Sequence, residues 1–231
     1  MKFLIFDSGP LISLTLSGLL DILPKIYSQL KETKFIITPQ VKFEVIDKSK
    51  TNKKFSLEAF KIEKLIHEKV FSLSSEFVSN HELSKETQKV LSFSKQLVKA
   101  FGHEVQLIQE GEASCIAFAK IFKENCLIVS DERTVRLISE SKEILKEMME
   151  KKLHSEVFIN NKNFKYFEGL KYIRSSELVF YAFEKGLIDL EKSVDVLDAL
   201  LYSLKFHGTA ISNKEIEEAK EIFRKSGPRG N

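Results

Sequence analysis

Two cysteines are all that 231 residues contain, and Cys115 and Cys126 can build neither a disulfide framework nor a four-ligand zinc site. Such sparing use fits a reducing compartment, so a cytoplasmic location is expected. Nine glycines and four prolines leave little material for long flexible linkers, and helices should therefore make most of the connections. No stretch reaches the roughly 20 consecutive apolar residues of a membrane span. The apolar start from Lys2 to Leu20 mimics an export signal, but Asp7 interrupts it and no small-residue cleavage site follows, so export is not expected. The five histidines (His67, His81, His103, His154 and His207) are dispersed without ligand spacing. No Ser–His or Cys–His arrangement suggests a nucleophile. A net charge of +3 is too small to mark the whole surface for nucleic acid, although it permits a local basic face.

Hydrophobic residues make up 43% of the chain and charged ones 30%, a balance that places it among globular proteins rather than disordered ones. Phe3-Leu4-Ile5-Phe6 is a short apolar run ending at Asp7 and the turn-forming Ser8-Gly9-Pro10, the pattern of a strand buried on both faces in a parallel sheet. Lys34 to Ile37 and Cys126 to Val129 read the same way, and Leu170 to Ile173 reads as a last strand. Helices are expected over Leu11–Leu23, from Thr38-Pro39 through Val45, over 55–69, 82–101 and 113–122, and over 134–149. The C-terminal part should hold three more, at 178–185, 193–206 and 214–225. Lys48 to Lys54 reads as an exposed Lys-rich turn, Val70 to Val78 as extended and Asn160 to Asn163 as a polar turn. Residues 226–231 form a short low-complexity tail. The expected fold is α/β: a three-layer α/β/α sandwich around a mostly parallel sheet. One domain should span 1–231, with a helical insertion at about 55–101 and a helical extension at about 175–231.

Four acidic residues fall at equivalent ends of these elements. Asp7 and Asp131 each follow a strand directly, Glu44 lies near the start of the helix after the second strand, and Glu112 is in the first turn of its helix. In right-handed βαβ units the strand carboxyl ends and the following helix amino ends share one edge of the sheet, which is where open α/β sheets place their ligands. Glu112 and Asp131 are separated by one helix, one turn and one strand, a path that returns the chain to the edge it left. Clustered carboxylates raise one another's pKa unless something neutralises them. A hard divalent cation such as Mg²⁺ or Mn²⁺ does so through oxygen ligands, and the same ion can activate water against a phosphodiester. On this reading Asp131→Asn relieves repulsion and leaves the fold intact or slightly steadier.

The motifs Phe6-Asp7-Ser8, Thr38-Pro39-Gln40-Val41-Lys42-Phe43-Glu44, Gly111-Glu112-Ala113 with Ala117 and Ala119, and Ser130-Asp131-Glu132 with Arg136 resemble those of the PIN-domain family. The likeness is to the archaeal and bacterial branch with a Gly-Glu-Ala third motif, that of the VapC-like ribonucleases. It covers about residues 1–47 and 105–140, more loosely 173–188. The resemblance implies a metal-dependent endoribonuclease, often the toxin of a toxin–antitoxin pair, with Mg²⁺ or Mn²⁺ held by Asp7, Glu44, Glu112 and Asp131. Ser8 and Ser130 match small hydroxyl positions beside these acids, and Glu132 stands where many relatives carry a second Asp. Partners implied are RNA and an antitoxin or other protein.

Other readings compete. Asp7 could cap a helix, Glu112 could serve only the helix dipole, and Glu44 could be a solvated helix residue. Glu110 and Asp47 read as surface charges, and the two cysteines as buried packing residues. Lys48, Lys50, Lys53 and Lys54 are a solvated turn or a set of phosphate contacts. The segment 55–101 is a cap beside the acidic pocket or a homodimerisation arm. A PIN-like module that binds RNA or protein without turnover is the alternative function. A phosphotransferase using Asp7 as nucleophile comes third, and its haloacid-dehalogenase-like form is excluded by Gly9, which occupies the place of a required second acid.

Overall fold

The computed structural model describes residues 1–226; the tail from 227 to 231 lies outside them. The strands are β1 (Lys2–Phe6), β2 (Thr33–Ile37), β3 (Phe71–Leu73), β4 (Val98–Ala100), β5 (His103–Glu104), β6 (Cys126–Val129), β7 (Val157–Ile159) and β8 (Tyr172–Ile173). The helices of the first half are α1 (Ser8–Leu16), α2 (Ile22–Gln29), α3 (Pro39–Lys42), α4 (Lys48–Lys50), α5 (Ser56–His67), α6 (Asn80–Lys95) and α7 (Glu110–Phe122). Those of the second half are α8 (Arg133–Glu140), α9 (Lys142–Leu153), α10 (Asn161–Phe167), α11 (Ser175–Glu184), α12 (Val194–Phe206) and α13 (Asn213–Ser226). No helix among the described residues is long and apolar enough to cross a membrane.

Five strands form a parallel sheet in the order β3-β2-β1-β6-β8. β1 sits at its centre, with Leu4 level with Phe35 on one side and with Leu127 on the other. That position requires both faces to be apolar, and Phe3 to Phe6 are all buried. Helix α7 covers β1 and β6 with α6 packed behind it; α2 lies on β2, and α1 packs against α5 and α11. The result is a helix–sheet–helix sandwich. Within it the ring of Phe6 lies 5.2 Å from Phe35 and 5.0 Å from Phe71, the latter edge-on.

Several local expectations are corrected. The apolar stretch 11–23 is two helices. α1 stops where Gly18 takes φ +70°, with Leu19 N–H reaching Leu14 O and Gly18 N–H reaching Thr15 O; these are the paired bonds of a Schellman C-cap. Pro24 then lies in the first turn of α2, where its missing N–H costs nothing. The stretch 134–149 is also broken, at Ser141, whose extended backbone and hydroxyl cap α9. Asn160 does not mark a bare turn: its side chain accepts from Lys162 and Asn163 N–H and starts α10.

The segment 55–101 differs most from its expectation. It is not wholly helical, because it supplies β3 to the edge of the parallel sheet and β4 to a separate antiparallel sheet, β5-β4-β7. At 98–100 the alternation of buried Val98, exposed Lys99 and buried Ala100 is a strand pattern that overrides the apparent helical spacing. Phe101 and Gly102, both with positive φ, make the two-residue turn into β5.

Because β3 contributes a fully buried ring to the centre of the sheet, Phe71→Ala should destabilise the protein by about 3–5 kcal/mol. Urea unfolding followed by circular dichroism measures this, and a loss under 1 kcal/mol would show the segment to be peripheral.

Candidate functional site

β1 and β6 are neighbours in register, so the residues that follow them emerge together, and Asp7 N–H donates to Val129 O at 3.0 Å. Asp7 is buried and caps α1. Its Oδ1 accepts from Ser8 N–H at 2.8 Å and from the Ser8 hydroxyl at 3.4 Å, and its Oδ2 accepts from the Ser130 hydroxyl at 3.3 Å. The two small hydroxyl residues thus aim this carboxylate.

Glu44 reaches the same edge on an irregular helix. Thr38 caps it, accepting from Val41 N–H at 3.1 Å, and Pro39 fills the first helical position. Over Phe43–Asp47 the helix widens to an i→i+5 turn, a form found often at functional sites, and Glu44 lies within it. Its carboxylate rests on the backbone of Gly111: a Cβ added there would stand 2.6 Å from Glu44 Oε2. A side chain at 111 would therefore displace the Glu44 carboxylate from this position. Thr38 and Ser114 join hydroxyls at 2.7 Å, which ties α3 to α7 at the level of the site.

Glu112 is half-buried, and its Oε2 accepts from Gln109 N–H at 2.7 Å, turning back on the start of its own helix. Burial, then the charge of Asp7, then those of Glu132 and Glu44, push its pKa from 4.5 up to about 8, against the opposing Gln109 N–H. Burial likewise lifts Asp7 from 3.8 to about 6; the Ser8 N–H and Ser130 hydroxyl oppose the rise, and Glu44 and Asp131 add to it. Glu132 is exposed and caps α8 through Thr134 N–H, yet its charge is felt at Glu112. Of the lesser candidates, Glu110 is exposed and Asp47 pairs with Lys42 at 2.9 Å.

Asp131 is buried beside them but bonded elsewhere. Its Oδ1 accepts from Ser175 N–H at 2.8 Å, at the amino end of α11. Its Oδ2 accepts from the hydroxyls of Ser13 at 2.8 Å, Ser175 at 2.7 Å and Thr209 at 2.9 Å. These donors come from α1, α11 and the α12–α13 connection, so Asp131 holds three distant parts of the chain to the end of β6. Nothing in the sequence singled out Ser13, Ser175 or Thr209. The one available signal was that a buried acid must find donors somewhere.

A cleft of about 720 Å³ opens beside the acids, with Ser8, Gln40, Glu44, Lys48 and Glu112 on its polar side and Ile12, Leu16, Phe43 and Phe55 on its apolar side. Among the described residues no three His, Cys, Asp or Glu side chains form a ready metal cage. The donors are nevertheless all hard oxygens, and two of them hold protons tightly because burial, and then neighbouring negative charge, opposes their ionisation. A family model described as a PIN domain matches residues 3–146. No curated protein and no solved structure matches the chain.

Two outcomes follow from these contacts. Asp131→Asn replaces an acceptor by a donor among three hydroxyls, so the expectation of a neutral or steadier variant is reversed: it should lose about 2–3 kcal/mol in urea unfolding. A variant as stable as wild type would remove the anchoring role. Asp7 and Glu112 bind protons more tightly folded than unfolded, so stability must fall as pH rises, up to about 6 through Asp7 and on to about 8 through Glu112. The metal-free protein should therefore melt higher at pH 5.5 than at pH 8.5. Glu112→Gln should raise Tm at pH 8.5 by about 2–4 °C and flatten the upper part of the profile; a flat wild-type profile would contradict both shifts.

Proposed function

Since the chain belongs to the PIN-domain family, whose members are generally nucleases, we propose that its acidic edge hydrolyses phosphodiester bonds in RNA with Mg²⁺ or Mn²⁺ held at Asp7, Glu44 and Glu112. The observation that carries this reading is the pair of carboxylates, Asp7 and Glu112, whose ionisation is opposed up to about pH 6 and about pH 8 by burial and by the charge of neighbouring carboxylates. A divalent cation would take the place of the protons. When bound, it supplies an activated water and stabilises charge on the phosphoryl group under attack.

The chain's own residues prepare that step. Ser8 and Ser130 fix the direction of Asp7, while Gly111 and Gln40 fix that of Glu44, whose Oε1 accepts from Gln40 Nε2 at 3.2 Å. Asp131, assigned by sequence as a fourth ligand, is given a positioning role instead, because both its oxygens already accept hydrogen bonds from protein donors. Lys48 provides a cation in the cleft for a substrate phosphate, and the half-exposed Phe43 offers a ring face to a base. A toxin restrained by an antitoxin is the narrower form of the proposal. A binding module without turnover is the second reading, favoured by Glu112 being turned onto Gln109 rather than into a cage.

Cleavage of mixed single-stranded and structured RNAs in Mg²⁺, Mn²⁺ or EDTA tests the reading. Asp7→Asn and Glu112→Gln should each lower the rate about 100-fold or more while keeping the wild-type circular dichroism spectrum. Full activity in EDTA would remove the metal, and RNA binding without cleavage under any condition would select the binding module.

A further inference from the structure

Arg136 is a cation whose hydrogen-bonding capacity is unspent. Its Nε is buried and has no hydrogen-bond partner, and its guanidinium makes no ion pair among the described residues. The neighbouring Arg174, by contrast, is fully engaged, with Glu215 at 2.6 Å and Glu177 at 2.9 Å. Burial and the like charge of Arg174 both disfavour the charge on Arg136, and Glu140, Glu177 and Glu215 offset this only through space. A guanidinium kept in such a place has donors to offer and an unmet need for an anion.

The surroundings are shaped to admit one. A groove of about 740 Å³ is lined by Arg133, Arg136 and Glu140 on α8, Lys205 on α12, Thr209 in the α12–α13 connection and Glu215 on α13. Thr209 is the residue whose hydroxyl also donates to Asp131, so the groove adjoins the anchor of the acidic edge. Arg133 is exposed at the amino end of α8, directly after Glu132, which acts on Glu112. Three cations thus face two carboxylates in this groove, and one of the carboxylates, Glu215, is already paired with Arg174. A planar guanidinium matches two oxygens of a phosphate at once, and a polymer with a phosphate at every unit can occupy this groove and the acidic edge together.

We propose that this groove binds a backbone phosphate of the RNA, with Arg136 as the principal donor and Arg133 and Lys205 as flanking cations. The identity of the polymer rests on the nuclease reading; the anion site rests on Arg136 and its groove.

Fluorescence anisotropy of a short labelled single-stranded RNA, without divalent ions and across a KCl series, tests this on the full chain. Arg136→Gln should weaken binding about tenfold and lower the slope of log K against log salt by about one. Arg136→Lys should recover most of the slope. Lys205→Gln, on a different helix, should show a smaller loss in the same direction, and it keeps the test open if Arg136→Gln fails to give the wild-type circular dichroism spectrum. Wild-type affinity and slope in both glutamine variants would overturn the inference while leaving RNA cleavage, and so the nuclease reading, intact. Arg136-dependent RNA binding without cleavage would support the inference and sink the nuclease reading. Inorganic phosphate raising the Tm of wild type but not of Arg136→Gln, with no RNA bound, would assign the groove to a free anion and overturn its RNA occupant. Arg136-dependent binding of polyglutamate in place of RNA would assign it to an acidic protein and overturn it likewise.

Discussion

Carboxylates withdrawn from water at the carboxyl edge of a parallel sheet are the constraint on which the rest of this molecule turns. Burial alone opposes their ionisation, and each added charge opposes it further. The chain answers in two ways within a short span. Asp131 receives four hydrogen bonds from protein donors, one of them from the amino end of α11, which suits a negative charge. Asp7 and Glu112 receive fewer donors, and burial together with neighbouring carboxylates makes both hold protons well above the ordinary range. Equivalent positions in the topology thus have different surroundings: Asp131 is held by donors from three parts of the chain, whereas Asp7 and Glu112 keep raised pKa values.

The geometry of this edge depends on contacts that are easy to overlook. The widened turn at Phe43–Asp47 and the missing side chain at Gly111 together let Glu44 lie against α7, and the Thr38–Ser114 contact holds the two helices at that spacing. A glycine in the first turn of a helix usually weakens it. Here it removes the atom that would displace a site carboxylate, so the local cost is exchanged for geometry at the edge of the sheet.

The central strands and their acids were legible from sequence because an apolar run followed by a carboxylate is both a packing signal and a chemical one. Phe3 to Asp7 and Cys126 to Asp131 carry that double signal. The strands that escaped notice are short: Val98–Ala100, His103–Glu104 and Val157–Ile159 offer two or three residues each, too few for a period to emerge. Helix breaks at Gly18 and Ser141 were hidden because apolar spacing continues across them. The donors of Asp131 escaped for a different reason. Serine and threonine are common and locally unremarkable, and Ser13, Ser175 and Thr209 are brought together only by tertiary structure, from positions 118, 44 and 78 residues away from the acid they serve.

The reach of Asp131 also bears on how the protein comes into being. Its partners lie on both sides of it in sequence, and Thr209 falls well outside the stretch matched by the family model, residues 3–146. While a nascent chain emerges from its amino end, β1 and β6 can pair long before α11 and the α12–α13 connection have been synthesised. Until then Asp131 lacks the donors that make its burial tolerable, and the corner from β6 into α8 has nothing to hold it. The anchoring of Asp131 is therefore completed only after Ser175 and Thr209, 44 and 78 residues further on, have been synthesised.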